Sequence, residues 1–466
     1  SRPRPIGCPR LVNQGICQRE QKTVIRLLSQ VRGRAFPLVL LYFRTMNTLS
    51  NTHHAPARNQ RIAVVTMGVK LGDETRGYTR FRFLSELLVR EGFDVTLFTS
   101  SFQHWEKAQR DIEKACYRDL PYRVVFIPEP GYKKNLDLAR IMSHRKAAKN
   151  LRRMLTERFA ADARAFDLIY AEIPPNDVAR VCAETAHEHG IPFVADVNDL
   201  WPEAMRMVVN VPVVSDIAFR PFARDAHRVY ELLSGAVGTS DEYAARPAAD
   251  REEPYEHVTV YVGNNLAAFD EGVRENADAV VKPAGEFWAT YAGTLGASYD
   301  LSTLVQAAKL AESQVSGLRV KILGDGPDRD QLTELASSIG APVDFLGYIP
   351  YDRMAAWLAA SDITVNSLVH GAAQSIVTKI GDYLAAGIPM INTGESPEFC
   401  AKVEADGFGV NVAPGNASEL TQAIVKLAAH PSSRKIMGAK ARDIACRQFD
   451  QAHSYRAIVE LIRNLL

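Results

Sequence analysis

The 466-residue chain lacks an excess of charge of either sign. Its 55 lysines and arginines are balanced by 54 aspartates and glutamates, and the formal net charge is +1. A protein that binds nucleic acid through a general electrostatic field carries a clear positive excess. We therefore expect no nucleic-acid partner.

Cysteine is scarce, and a long hydrophobic run is missing. The six cysteines form no Cys-x-x-Cys pair, and no histidine cluster has the spacing of a zinc site. This pattern indicates a reducing compartment without a metal centre. The most apolar early run, residues 36–43, is far shorter than the ~20 residues of a membrane span. We expect a cytoplasmic protein in which any membrane association is peripheral, on the inner face of the plasma membrane.

Residues 1–58 differ in composition from the rest of the chain. They are rich in arginine, contain Glu20 as their single acid, and show no sustained apolar period. We interpret them as a basic, disordered leader that neither folding nor ligand binding requires. The alternative is a tether to an anionic membrane.

From residue 59 onward, short apolar runs alternate with stretches of helical period. The run 62–67 precedes apolar residues at helical spacing near 81–88, and the second half repeats this order from a strand at 288–291. Such alternation predicts an α/β fold with two doubly wound, mostly parallel sheets. The Pro- and charge-rich stretch before residue 256 marks the boundary, giving domains 59–255 and 256–447. Ligands of such sheets bind outside the carboxyl ends of the strands, here in a cleft between the domains.

Glycines follow two predicted strands of the second half. Gly324 and Gly326 come directly after the run 320–323, and Gly293 and Gly296 follow the strand at 288–291. A glycine at the end of a strand lets backbone approach a ligand without a Cβ in the way. The alternative is a tight turn between strand and helix, because a complete dinucleotide-binding fingerprint is absent.

Lys379 and Asp382 lie three positions apart on a predicted helix and therefore share one of its faces. A cation and a carboxylate so placed suit the diphosphate and the ribose hydroxyls of a nucleotide, respectively. An exposed ion pair between the two side chains is the alternative.

The block 374–391 resembles the donor domain of retaining GT-B glycosyltransferases of family 4. The Gly-Asp-Gly turn at 324–326 and the segments 345–350, 360–363 and 407–410 share this resemblance. The chain is especially similar to bacterial members that build capsular, exopolysaccharide or O-antigen chains, and the resemblance covers roughly residues 61–466. It implies the GT-B fold, two Rossmann-like domains facing across a cleft, with residues 448–466 as a return helix packing on the first domain.

The resemblance also implies an activity. A hexosyltransferase of this type moves sugar from a nucleoside-diphosphate sugar to a hydroxyl of a glycan or lipid-linked sugar acceptor, with retention, in cell-envelope synthesis. It needs no metal ion, other cofactor or protein general base, because cationic groups stabilise the departing diphosphate. Two rival interpretations remain open: a GT-B-fold nucleotide-sugar epimerase, and a non-catalytic subunit of a glycosyltransferase complex.

The implied donor site contains eleven residues. They are Gly293, Thr294, Gly296, Gly324, Gly326, Tyr348, Ile349, Gln374, Ser375, Lys379 and Asp382. Three departures from the family pattern occur: Gln374 stands at the position of the first glutamate of a Glu-x7-Glu motif, Asp382 stands where the family usually has glutamate, and the usual Lys-Gly after the 293–296 loop is absent.

The implied acceptor side lies in the first domain. Gly77 and Arg80 resemble the family's glycine-rich loop and the arginine that follows it. Asn198 and Asp199 belong to a segment that resembles the Asp-Leu-Trp-Pro turn of envelope-polysaccharide transferases. For this turn the alternative is a local Asx turn that caps a helix.

Overall fold

The structure is a computed structural model that describes residues 59–74, 79–134, 137–208, 214–372 and 376–466. The expectation for residues 1–58 lies outside this part of the chain. No helix in these ranges combines the length and the apolar character that crossing a bilayer demands.

The first domain is built on a parallel sheet of seven strands, ordered β5-β2-β1-β6-β7-β8-β9, with a small antiparallel hairpin, β3-β4, beside it. The strands are β1 (Arg61–Thr66), β2 (Asp94–Ser100), β3 (Phe102–Gln103), β4 (Ala108–Gln109), β5 (Arg123–Ile127), β6 (Leu168–Ile173), β7 (Phe193–Val197), β8 (Gly235–Gly238) and β9 (Glu256–Thr259). The central strands are buried on both faces, which explains their continuous apolar sequence.

Helices cover both faces of this sheet. They are α1 (Arg80–Arg90), α2 (Leu138–Ala161), α3 (Asn176–Glu188), α4 (Glu203–Val208), α5 (Val214–Leu232) and α6 (Asp241–Ala245). Side chains of α2, α3 and α5 form one apolar cluster with the sheet, and α1 belongs to a second cluster on the opposite face. The domain is therefore doubly wound, as the alternating pattern predicts.

The second domain repeats this construction around six parallel strands, ordered β12-β11-β10-β13-β14-β15. They are β10 (Phe287–Ala292), β11 (Leu318–Leu323), β12 (Val343–Gly347), β13 (Ile363–Asn366), β14 (Met390–Asn392) and β15 (Gly409–Asn411). The helices are α7 (Leu266–Glu275), α8 (Leu301–Ala311), α9 (Arg329–Ile339), α10 (Tyr351–Ala360), α11 (Ile380–Ala385), α12 (Pro397–Asp406), α13 (Ala417–Ala429) and α14 (Pro431–Ile444). An apolar cluster lies on each face of the sheet.

The domain boundary lies later than the predicted position at residue 255. Strand β9 pairs in parallel with β8, so residues up to Thr259 belong to the first sheet. The Pro- and charge-rich stretch before it only connects these two strands. Composition reveals such a connection but does not reveal which sheet the following strand joins.

The chain ends with two helices, α15 (Gln451–Ser454) and α16 (Arg456–Leu465). Tyr455, Ile458 and Ile462 are buried in the apolar cluster that contains α1, so the last helix packs on the first domain. The last helix therefore ties the end of the second domain to the first.

Candidate functional site

A cavity of about 620 Å³ lies between the two domains. Its first-domain wall contains side chains that follow β1 or belong to α1, and its second-domain wall follows the carboxyl ends of β10 and β12. This is the position where open α/β sheets bind ligands. Five residues of the sequence-predicted donor site line it: Gly293, Tyr348, Ile349, Lys379 and Asp382.

Lys379 lies directly before α11 and packs between aromatic rings. Its ammonium donates a hydrogen bond to the Tyr291 hydroxyl at 2.9 Å and lies 3.8 Å from the centroid of the Tyr299 ring. Burial lowers the pKa of this ammonium well below its ordinary value. Among the described residues Lys379 forms no ion pair, and the alternative of an exposed pair with Asp382 is wrong.

Asp382 lies in the first turn of α11 and is held by neutral donors. Its Oδ1 accepts hydrogen bonds from the Asn264 amide at 2.9 Å and from the Tyr351 hydroxyl at 2.8 Å. Burial raises the pKa of the carboxyl to about 6, although both hydrogen bonds act in the opposite direction. Lys379 and Asp382 thus line one cavity with separate partners.

Gly293 makes room for the Lys379 ammonium. Its φ is 154°, and a Cβ at this position would lie 2.8 Å from Lys379 Nζ and 3.1 Å from Tyr291 Oη. The Tyr291 hydroxyl in turn donates to the carbonyl of Thr294 at 2.7 Å. A chain of hydrogen bonds therefore runs from Lys379 through Tyr291 to the loop after β10, although Thr294 itself does not line the cavity.

The glycines after β11 bring two loops together. A Cβ on Gly324 would overlap the carbonyl oxygen of Gly293, and one on Gly326 would overlap that of Leu295. Neither glycine lines the interdomain cavity, and Gly296 does not line it either. Gly324 and Gly326 permit close packing of backbone on backbone, as the tight-turn alternative requires, whereas the atoms nearest to a Cβ on Gly296 are side-chain atoms at least 3.8 Å away. Contact of these three glycines with a ligand stays a prediction.

Three sequence-predicted site residues, Gly77, Gln374 and Ser375, lie outside the described residues. One carboxylate anchors the described residues just before the gap at 373–375. Glu395 accepts hydrogen bonds from His370 Nδ1 at 3.0 Å and from the Gly371 amide at 2.8 Å.

Arg80 does not face the acceptor side of the cleft. Its side chain is fully buried and forms a two-pronged ion pair with the equally buried Asp196, at 2.9 and 3.0 Å. It also donates to the carbonyl of Val260 at 3.0 Å and to the Tyr455 hydroxyl at 3.2 Å. The sequence prediction for Arg80 is wrong, because an arginine after a glycine-rich loop looks the same whether its side chain turns toward the cleft or into the core.

Asn198 and Asp199 line a smaller cavity of about 220 Å³ in the first domain. Asp199 accepts hydrogen bonds from the Leu200 amide at 2.9 Å and from the Trp201 indole at 3.1 Å, so the local turn exists and still borders the cavity. Burial raises the pKa of its carboxyl. Asn198 donates to the Asp196 carbonyl at 3.0 Å.

Aromatic and titratable side chains surround this smaller cavity. Trp105 and Trp201 border it, and Glu172 contributes a carboxyl at its wall. Burial raises the pKa of Glu172 to about 7 and lowers the pKa values of His104 and His144 to about 3, so both imidazoles are neutral. A flat apolar wall beside neutral hydrogen-bonding groups suits a polar ring with hydroxyl groups.

Sequence reasoning missed the residues that hold the two charged groups of the larger cavity. Tyr291 and Tyr299 look like ordinary core aromatics, Asn264 looks like a turn residue, and Tyr351 looks like the start of a helix. Their partners are as many as 118 positions away in the chain, as between Asn264 and Asp382. No local signal in the sequence reveals pairs at that separation.

No group of three or more His, Cys, Asp or Glu side chains in the described ranges is arranged to hold a metal ion. The expectation that no metal takes part in the reaction stays a prediction.

Residues 287–430 match the family model described as Glycosyl transferases group 1. This segment corresponds to most of the second domain and includes Lys379 and Asp382. Among curated proteins, the lipopolysaccharide core biosynthesis glycosyltransferase LpsE of Rhizobium meliloti is 27% identical over 165 residues. The match covers 35% of this chain and 45% of the relative, so it spans less than half the length of that protein.

Solved structures resemble nearly the whole chain. Sucrose-phosphate synthase from Thermosynechococcus elongatus has a TM-score of 0.64 at 17% identity, over 87% of this chain and 99% of that one. Anabaena HepE in complex with UDP has a TM-score of 0.63 at 16% identity, over 87% of this chain and 100% of that one. The chain therefore has the GT-B fold, two Rossmann-like domains facing across a cleft, and its second domain resembles the glycosyltransferases of group 1.

Proposed function

We propose that the protein is a glycosyltransferase that moves a hexosyl group from a nucleoside-diphosphate sugar to a hydroxyl of an acceptor. One observation carries the proposal: an ammonium and a carboxylate, not paired with each other, line a single interdomain cavity in the segment that matches the group 1 model. The crystal structure of Anabaena HepE, which has the same fold, is of a complex with UDP.

Lys379 binds the diphosphate in this proposal. As the bond to the sugar breaks, negative charge builds up on the departing diphosphate, and a preorganised ammonium stabilises it more than it stabilises the intact donor. The tyrosine rings hold the ammonium in place. A cationic side chain of this kind takes the place of a metal ion, so we expect turnover in the presence of a chelator.

Asp382 binds the ribose. Both hydrogen bonds from the described residues reach Oδ1, and Oδ2 accepts none from this part of the chain. Oδ2 is therefore available to a ribose hydroxyl. Binding of base, ribose and diphosphate along one wall positions the sugar toward the first domain.

The acceptor binds at the smaller cavity of the first domain, which Asn198 and Asp199 border. The loop after β1 joins the two cavities, because Gly68 lines the smaller one and Lys70 lines the larger one. We propose a glycan or lipid-linked sugar as acceptor, reached at the inner face of the plasma membrane, and retention at the transferred carbon. The name of the Rhizobium relative supports synthesis of a bacterial envelope glycan.

Substitution of Lys379 tests the donor site. Lys379→Ala should weaken the binding of a nucleoside diphosphate by roughly 1.5–3 kcal/mol, the scale of a charge-assisted hydrogen bond, measured by calorimetry. Lys309→Ala is the matched control, because Lys309 is an exposed lysine paired with Glu312 on α8. Unchanged affinity in the Lys379 variant would remove the main support of the proposal.

Three assays with the wild-type protein separate the proposed activity from its rivals. A glycosyltransferase transfers labelled sugar only when acceptor is present, and the anomeric configuration of the product reports retention. An epimerase releases an altered sugar without acceptor. A non-catalytic subunit binds nucleotide without turnover in either mixture.

A further inference from the structure

Among the described residues, the second domain contributes one cation, Lys379, to the interdomain cavity, although a diphosphate carries more than one negative charge. The usual Lys-Gly after the 293–296 loop is absent from the sequence, so the second cationic position of the resembling family has no counterpart there. The first-domain wall of the same cavity contains two further cations, Lys70 and Arg82. Arg82 is paired with Glu86 at 3.0 Å.

Lys70 makes no ion pair or hydrogen bond with the part of the chain that the structure describes. Its neighbours Val69 and Leu71 are fully buried, and its own side chain is partly buried at the cavity wall. Alternation of this kind directs the Lys70 side chain away from the core. Within the described ranges, no carboxylate is paired with its ammonium.

A buried ion pair holds the backbone on both sides of Lys70. Arg110 donates to the Val69 carbonyl at 2.7 Å and pairs with Glu74 at 2.6 Å. Glu74 in turn accepts a hydrogen bond from the Leu71 amide at 2.8 Å. The loop that carries Lys70 is thus preorganised, which reduces the entropy lost when its side chain binds an anion.

We propose that Lys70 is the second cation for the donor diphosphate and acts from the first domain, across the cleft from Lys379. This inference rests on the proposed function, because it assigns a residue to the same ligand. A diphosphate held by both lysines contacts both domains at once. Donor binding and the closing of the cleft are then coupled through Lys70. If Lys379 of the second domain alone held the diphosphate, the two events would be independent.

The test measures the affinities of UDP, GDP, ADP and CDP for the full chain by calorimetry, with Lys70→Ala, Lys70→Arg and Lys379→Ala. For the nucleoside diphosphate that binds best, Lys70→Ala should lose about tenfold in affinity, and Lys70→Arg should recover most of it because the charge is kept. The loss should be smaller for the corresponding monophosphate. Affinity should also depend less steeply on salt in Lys70→Ala. Lys309→Ala is again the control, and melting temperatures verify that each variant is folded.

The outcomes separate the inference from the proposed function. If Lys379→Ala weakens binding and Lys70→Ala does not, the inference is wrong and the donor site stands. An equal loss for the diphosphate and the monophosphate, or no recovery with arginine, would also overturn it, because Lys70 would then act through the loop and not on the diphosphate. If the wild-type protein binds none of the four nucleoside diphosphates, the proposed function and the inference both fail.

Discussion

At the residue scale, the pKa values of Lys379 and Asp382, which lie three positions apart, are shifted in opposite directions. Burial lowers the pKa of the Lys379 ammonium, which packs against tyrosine rings. Burial also raises the pKa of Asp382, which accepts hydrogen bonds from an amide and a hydroxyl, to about 6. Both shifts arise from desolvation without a partner of opposite charge. A diphosphate would give Lys379 an anion, and a ribose diol would give Asp382 further hydrogen-bond donors. Burial therefore favours the neutral form of each of these two groups as long as no donor is bound.

We expect kcat/KM for the donor to fall as the pH drops through about 6, because a protonated Asp382 accepts a ribose hydroxyl less well. Asp382→Asn should lower kcat/KM at neutral pH and remove this pH dependence. A pH profile of initial rates checks both. Asp330→Asn, an exposed position on α9, is the control and should retain the wild-type profile.

The melting temperature of Asp382→Asn distinguishes a binding role from a structural one. The folded-state pKa of Asp382 lies above the ordinary value of an aspartate, so the stability it contributes is present at low pH and is lost as the pH rises through about 6. Removal of the charge at neutral pH should therefore leave the melting temperature unchanged or higher. Full activity together with a lower melting temperature would contradict the ribose assignment.

At the scale of the secondary-structure elements, the loops that follow β10 and β11 pack on each other. The loop after β11 packs on the loop after β10, and the Gly293 amide donates to the Leu323 carbonyl at 2.9 Å. Because Gly293 also borders Lys379, the packing of these loops sets the position of the ammonium. The glycine motif after β11 thus packs on the loop that borders Lys379.

Gly324→Ala should destabilise the protein by more than about 3 kcal/mol, because the added Cβ overlaps the Gly293 carbonyl at a φ of 139°. Urea unfolding measures this free energy. Gly190→Ala is the matched control: its φ is also positive, at 64°, but no atom lies within 4 Å of the added Cβ. It should cost only about 1 kcal/mol. Similar losses in the two variants would show that backbone conformation and not overlap governs Gly324.

A buried polar network connects distant parts of the chain at the scale of the whole molecule. Arg80 joins α1 to Asp196 of β7, to the carbonyl of Val260 after the last strand of the first sheet, and to Tyr455 beside the last helix. The Tyr170 hydroxyl also donates to Asp196, at 2.6 Å. This network fixes the first domain, the connection to the second and the returning helix relative to one another.

Arg80→Met should lower the free energy of unfolding by about 3–5 kcal/mol, because Asp196 is left buried without its cation. The double substitution Arg80→Met with Asp196→Leu should recover part of this loss, since it removes the uncompensated charge as well. Denaturant titration measures both variants. Arg82→Met, at a partly exposed position on the same helix where the arginine pairs with Glu86, should cost no more than about 1 kcal/mol. Comparable losses at both positions would contradict a structural role for the Arg80 network.

The sequence by itself determined the α/β class and the two doubly wound sheets, and it singled out Lys379 and Asp382, which both line the interdomain cavity. Each of these depends on local order along the chain. Apolar runs mark buried parallel strands, and the spacing of two residues on one helix places them on one face. The domain boundary came within a few residues for the same reason, because the Pro-rich connection before β9 is visible in the composition.

Only the tertiary structure decided which groups these residues meet. The pairing of Arg80 with Asp196, the tyrosine rings around Lys379 and the amide of Asn264 at Asp382 all join positions about 80 or more residues apart. Periodicity shows that a side chain turns toward the interior or the cleft, but the identity of its neighbours depends on how distant elements pack. The same limit applies to Gly324, whose role follows from a backbone contact with another loop. Packing between elements far apart in sequence therefore separates a structural arginine from a site residue here.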